Sequence, residues 1–135
     1  MAEAFQFELV SPERLVMSEA VEEVVVPGAD GDFGVLAGHA PFMSTVRPGF
    51  IDVKHTSGDV SKIYIQGGFA DTGPAGLTIL AEQAIPAADL KAEEIIAQIK
   101  EAEEDLADAA SDEARTVAAQ KVGQLKDVQA ALATL

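Results

Sequence analysis

Gly28-Ala29-Asp30-Gly31-Asp32-Phe33-Gly34-Val35-Leu36-Ala37-Gly38-His39-Ala40-Pro41 has glycine at 28, 31, 34 and 38 and closes on a His-x-Pro. Glycines this dense open positive φ and tight turns, so the stretch reads as irregular backbone with Phe33, Val35 and Leu36 tucked inward. Pro41 biases Ala40 toward extended backbone, which fixes the position of the neighbouring His39 ring. A phosphate cradle would need a glycine-rich turn running into a helix with a lysine, and no lysine occurs between Met1 and Val53. A calcium loop could start at Asp30-Gly31-Asp32, but the spaced acidic ligands and the closing bidentate glutamate are missing. What remains is a shaped loop that carries a recognition surface on a rigid scaffold.

On either side of the loop the hydrophobic period is two. Phe5, Phe7 and Leu9 alternate with Gln6 and Glu8; Ile51 and Val53 with Asp52 and Lys54; Ile63 and Ile65 with Tyr64; Leu77, Ile79 and Ala81 with Thr78 and Leu80. Turn signals separate these runs: Ser11-Pro12, Pro27-Gly28, Pro48-Gly49, Ser57-Gly58-Asp59, Gly67-Gly68 and Gly73-Pro74-Ala75-Gly76. Short strands at this spacing predict an antiparallel β sandwich or flattened barrel. The unbroken Val24-Val25-Val26 suits a strand covered on both faces. Lys54 to Asp59 reads as a hairpin tip, with His55 a solvated loop residue; His39 and His55 share no helical spacing, so no metal site is expected.

Composition changes after Pro86. From Ala87 to Leu135 there is no proline and a single glycine, Gly123, while alanine, leucine, glutamate and lysine dominate. Asp89 is the expected first N-cap, and Ile95, Ile99, Ala102 and Leu106 form a helical stripe that Ile96 widens. Ser111 is the expected second N-cap, followed by a stripe through Ala118, Val122, Leu125, Val128 and Leu132. The prediction is a β domain over 1–86 and an antiparallel two-helix hairpin over 87–135, each helix hiding its stripe against the other or against the β domain.

The 135 residues make one ordinary domain or a small domain with an appendage. With 23 acidic against 9 basic side chains, the net charge of -14 argues against nucleic acid or anionic lipid and toward a basic protein surface as partner. The absence of cysteine rules out disulfides, thiolate metal sites and cysteine nucleophiles. With no apolar run of spanning length and no signal or transit segment, the reading is a soluble, intracellular, bacterial-type chain without direct membrane insertion.

In order along the chain, Phe7 to Ser11, then Gly31-Asp32-Phe33-Gly34-Val35-Leu36-Ala37-Gly38-His39-Ala40-Pro41, Arg47-Pro48-Gly49, Ile65-Gln66-Gly67-Gly68-Phe69 and Ile79-Leu80-Ala81-Glu82 closely resemble the epsilon subunit of the F-type proton-translocating ATP synthase, called delta in mitochondria. That family also joins a β sandwich to a two-helix hairpin, so the resemblance spans essentially the whole chain. It implies a non-catalytic rotor subunit of the central stalk, without a cofactor. Its β domain would pack on the gamma subunit and sit on the polar loops of the c-ring, passing rotation to the catalytic head. Carried over by position, Asp32 falls where the family meets the c-ring loops, and Phe33 beside it is among the expected partner-binding residues. His39, Ala40, Pro41, Phe42 and Met43 fall at the junction of gamma and ring, and Gly67, Gly68 and Phe69 near the gamma face. The implied location is peripheral, on the cytoplasmic side of the inner cell membrane.

In many bacterial members the hairpin extends along gamma toward the catalytic alpha and beta subunits and blocks hydrolysis, and in some it binds ATP. Here Asp89 is present, but Glu94-Ile95 stands where the nucleotide-binding members carry Arg-Ala, and a carboxylate in place of a phosphate-facing arginine reverses the electrostatics. The second helix sets Arg115, Lys121 and Lys126 against Asp112, Glu113 and Asp127, and the first is strongly acidic, so the tail is a poor match for an acidic target. Weak or absent inhibition and no useful ATP binding are expected. Two rival readings are a stand-alone β-sandwich module with a concave ligand pocket and a hydrolase or isomerase built on His39 in a cleft.

Overall fold

In the computed structural model of the chain, residues 3–135 are described. The chain divides into two compact units, Met1–Ala87 and Ala88–Leu135. Among the described residues the first contains nine strands: β1 (Phe5–Val10), β2 (Leu15–Gly28), β3 (Gly31–Val35), β4 (Phe42–Val46), β5 (Gly49–His55), β6 (Val60–Ile65), β7 (Gly68–Gly73), β8 (Gly76–Ala81) and β9 (Ala84–Pro86). A 3-10 turn, Ala87–Asp89, follows, and the second unit holds α1 (Ala92–Ala107) and α2 (Asp112–Ala133).

Strand order is β1-β8-β7-β4-β2-β5-β6-β9, with β3 also on β2 and with β1 pairing β2 as well, so the first five strands close on themselves. Every pairing is antiparallel except β1 with β8, which is parallel. The fourteen-residue β2 makes the closure possible. Its first half pairs β1 from Leu15 to Val21, its second half pairs β3 and β5, and Gly28 touches Val46 of β4. One strand thus belongs to both layers of a flattened barrel, as the alternation predicts.

Period-two alternation fills the interior. Phe5, Phe7 and Leu9 of β1, Val21, Val24 and Val26 of β2, Ile51 and Val53 of β5, and Leu77, Ile79 and Ala81 of β8 are buried in one cluster. Each large apolar side chain fully buried there contributes roughly 1.5–3 kcal/mol. Between β7 and β8 the backbones approach so closely that only glycine fits. Gly68 has φ +148°, and a Cβ on it would lie 2.0 Å from the Leu80 carbonyl oxygen.

The stretch 28–41 is more regular than its glycines suggest. Residues 31–35 form β3, hairpinned to β2 through Ala29-Asp30 with Gly28 opposite Gly31. The glycines allow the two-residue turn, where Gly31 has φ +136°, without forcing irregularity beyond it. Val35 is buried and Phe33 half-buried, as expected, but Leu36 has left the strand and is 53% exposed. Val25 is only half-buried between the buried Val24 and Val26, because β2 has one covered face here rather than two.

His55 is not a solvated loop residue. It ends β5, half-buried, with Nδ1 2.5 Å from Glu19 Oε1 and Nε2 2.6 Å from Ser61 Oγ. The register places Val21 of β2 opposite it, so long-range pairing that no local pattern encodes supplies its partners.

In the helical unit α1 and α2 pack on one another across the short connection 108–111. Ile95, Ile99 and Ala102 of α1 and Ala118, Val122, Leu125 and Val128 of α2 are buried, matching the expected stripes. Ser111 caps α2, its hydroxyl accepting from the Ala114 amide at 3.1 Å. Asp89 does not cap α1: it closes the 3-10 turn, and Lys91 holds the N-cap position without a side-chain bond. Ile96 does not widen the stripe, being 51% exposed. No helix among the described residues is long and apolar enough to cross a membrane.

Candidate functional site

The residues singled out by sequence gather in two places on the β unit. The first is the β2–β3 hairpin with the connection 36–41 and the start of β4. Asp32 is exposed on β3, and its Oδ1 receives a hydrogen bond from Arg47 Nη2 at 2.5 Å. Arg47 Nη1 donates to the Gly28 carbonyl, also at 2.5 Å. Asp32 is therefore half of an ion pair rather than a free carboxylate. Phe33 meets Phe42 edge to face, ring centroids 5.3 Å apart at 85°, a geometry the aromatic quadrupole favours. Phe42 and Met43 remain exposed, at 46% and 70%.

His39 sits in the connection with its backbone amide donating to the Leu36 carbonyl at 3.2 Å. Its Nδ1 is 2.7 Å from the Ala40 carbonyl oxygen. Among the described residues it has no carboxylate partner, so the acid–base pair needed by a hydrolase is not assembled around it. Ala40 and Pro41 are exposed beside it.

The second place is the outer face of the sheet β4-β7-β8-β1. Residues alternate in and out along each strand, and the register aligns the outward ones in rows. Thr45, Phe69, Leu80 and Val10 form one row; Met43, Asp71, Thr78 and Glu8 form the next. Phe69 and Leu80 are 55% and 53% exposed. A groove of about 290 Å³ runs beside them, lined by Val10, Pro12, Gly68, Phe69, Leu80 and Glu82 among others. Gly67 is buried at its edge, its carbonyl accepting from the Glu82 amide at 2.9 Å, and Gly68 lets β7 lie tight on β8.

Met43 joins the two places, since it is an outward residue of β4 and also lies one residue past Phe42. Sequence reasoning missed Leu80 and Val10, although the signal was present: in Leu77 to Ala81, Leu80 occupies a polar phase of the alternation. It also missed Arg47, whose partners come from β2 and β3.

Of the four Lys and Arg side chains in the β unit, Arg47 pairs with Asp32, Lys54 with Glu22 and Lys62 with Asp52, Arg14 makes no ion pair among the described residues, and the outward rows carry the carboxylates of Glu8 and Asp71. Tyr64, buried on β6, has its phenol pushed up to about 12 by burial and then by the nearby Glu82 carboxylate. It is part of the scaffold rather than of either surface. No group of three or more acidic or histidine side chains among the described residues is placed to hold a metal.

Residues 4–87 match the ATP synthase delta/epsilon chain beta-sandwich domain family. Over 132 residues the chain is 51% identical to an ATP synthase epsilon chain of Mesorhizobium japonicum, covering 98% of each. It is 49% identical over 129 residues to that of Parvibaculum lavamentivorans, covering 96% of this chain and 98% of the relative. In fold it is similar to a chain of the Euglena gracilis mitochondrial ATP synthase, with a TM-score of 0.76 at 23% identity, over 98% of this chain and 82% of that one.

Proposed function

Because the chain belongs to the ATP synthase delta/epsilon chain family, we propose that it works as a central-stalk rotor subunit, non-catalytic, that transmits c-ring rotation to the catalytic head through gamma. The observation that carries this reading is the outer face of β4-β7-β8-β1, with Phe69 and Leu80 exposed side by side and Met43 exposed in the next row. Contiguous exposed apolar surface rimmed by polar groups marks a protein interface. Gamma is the partner for this face, with Gly67 and Gly68 beneath it and Phe69 in its centre. The hairpin end, with Asp32 and Phe33, takes the polar loops of the c-ring, whose partly basic character suits an acidic chain, and His39, Ala40, Pro41, Phe42 and Met43 lie at the junction of gamma and ring. These contacts hold the chain peripherally at the cytoplasmic face of the inner membrane.

The helical unit is a weak brake and a poor ATP site in this reading. Arg115 is engaged with Asp112 of its own helix at 2.8 Å, which leaves fewer cations for an acidic target. Glu94 lies exposed in the first turn of α1, where a phosphate would meet a carboxylate.

The test is ATP hydrolysis and proton coupling by the matching enzyme depleted of this chain, with either the full chain or a form ending at Ala88 added back. Both forms should bind, restore coupling and leave equal hydrolysis rates. Suppression by the full chain alone would make the hairpin a brake and overturn the charge argument. Failure of both to bind would sink the rotor reading.

A further inference from the structure

The β2–β3 hairpin carries two carboxylates that are not equivalent. Asp30 lies exposed in the turn with no ion pair among the described residues, whereas Asp32 is bound by Arg47. Arg47 holds the hairpin at two levels. Its backbone amide donates to the Pro27 carbonyl at 3.0 Å, beside the Ala29 amide donating to Thr45 at 2.9 Å, and these bonds lash the end of β2 to the end of β4. Its side chain, 29% exposed, then bridges the Gly28 carbonyl and the Asp32 carboxylate. A guanidinium directs its donors in a fixed plane, so gripping both oxygens sets the distance between β2 and β3 at the turn; an ammonium has no such fork. The two backbones lie close at this turn, where a Cβ on Gly28 would lie 2.7 Å from the Gly31 carbonyl oxygen.

We infer that Arg47 is the positioning residue of this hairpin, and that Asp30, with Asp32 neutralised by Arg47, is the carboxylate the hairpin presents to a basic partner surface. The identity of that partner rests on the rotor reading above; the clamp does not.

Both parts are tested in the full chain with Arg47→Met, Arg47→Lys, Asp32→Ala, Asp30→Ala and the Arg47→Met/Asp32→Ala pair. In the free protein, amide exchange at Ala29 should accelerate about tenfold in Arg47→Met, as expected for losing charge-assisted hydrogen bonds. Asp32→Ala should give a smaller acceleration, the double variant none beyond Arg47→Met, and Arg47→Lys only partial rescue. With the depleted enzyme, Asp30→Ala should weaken binding and flatten its salt dependence, while Asp32→Ala leaves the salt dependence as in the unaltered chain. Unchanged exchange in Arg47→Met, or additive effects in the pair, would overturn the clamp. Flattening of the salt dependence by Asp32→Ala but not by Asp30→Ala would overturn the assignment of the presented charge. If the unaltered chain does not bind the depleted enzyme, the rotor reading fails, the assignment of a presented charge falls with it, and the exchange data alone decide the clamp.

Discussion

Gly68→Ala puts the packing of β7 on β8 to a quantitative test. The backbone there has φ +148°, and holding an alanine in such a region costs about 1–3 kcal/mol. The new Cβ would also sit 2.0 Å from the Leu80 carbonyl oxygen and 3.0 Å from Ala81 Cα. Relaxed carbon–oxygen contacts are roughly 3.3–3.6 Å, so β8 must retreat by more than about 1 Å and loosen one or two ladder bonds of about 1 kcal/mol each. The sum is about 2–5 kcal/mol, a large part of the ~5–15 kcal/mol that stabilises an ordinary domain. Two other glycines separate the contributions. Gly31 has φ +136° but nothing within 4 Å, so Gly31→Ala should lose only the backbone part, about 1–3 kcal/mol. Gly73, with neither positive φ nor a neighbour, should be neutral or slightly stabilised by alanine, by up to about 1 kcal/mol. The assay is urea unfolding followed by tyrosine fluorescence, which reports the β unit because Tyr64 is the chain's only tyrosine and there is no tryptophan. If Gly68→Ala falls within about 1 kcal/mol of Gly31→Ala, β8 yields freely and the steric reasoning is wrong.

The Tyr64 phenol, raised from 10.0 to about 12, should leave the β unit fully stabilised below pH 10 and strip away roughly 2–3 kcal/mol as pH rises toward 12, because the unfolded chain ionises first. A phenolate absorbance titration with its midpoint near 10 would contradict this, as would the same alkaline loss in Tyr64→Phe. Ser111→Ala should destabilise the helical unit by about 1 kcal/mol while Asp89→Ala changes it little, since only Ser111 caps a helix; thermal melts followed by helical circular dichroism would expose the opposite order. Leu80→Glu, on an exposed position, should keep the unfolding midpoint within about 0.5 kcal/mol yet weaken association with the depleted enzyme by tenfold or more; unaltered association would remove the outer sheet face from the interface.

Most of the architecture was legible because both periods are clean. Phe5-Phe7-Leu9 and Leu77-Ile79-Ala81 alternate without a break, and the helical stripes keep their spacing through Ala102 and Val128. The failures occur where distant chain supplies the partner. Glycine spacing was read as irregular backbone at 31–35, since a hairpin built on a two-residue turn shows itself only when β2 is laid alongside. His55 gained Glu19 and Ser61 from two other strands. Asp89 satisfies the chemistry of a cap, yet the 3-10 turn at 87–89 shifts the helix start beyond its reach. At the candidate surface, the hairpin residues were found from motif order, whereas Leu80 and Arg47 depend on strand register and on a contact across fifteen residues.

The parallel pairing of β1 with β8 sets a timetable for biosynthesis. Phe7 lies beside Leu77 and Val10 beside Leu80, so β1, synthesised some seventy residues before β8, has one of its neighbours among the last strands of its unit. Until β8 has emerged from the exit tunnel, β1 can pair only with β2, and its other edge stays open. Long-range closure of this kind is slow and leaves an unpaired edge able to recruit the same strand of another nascent chain. The segment that completes the seal, Gly76–Ala81, begins with a glycine whose Cβ, had it one, would lie 2.2 Å from the Gln6 carbonyl oxygen. A bulkier residue at that position would hold the seam ajar at the moment when a growing chain is most exposed to its neighbours on the polysome.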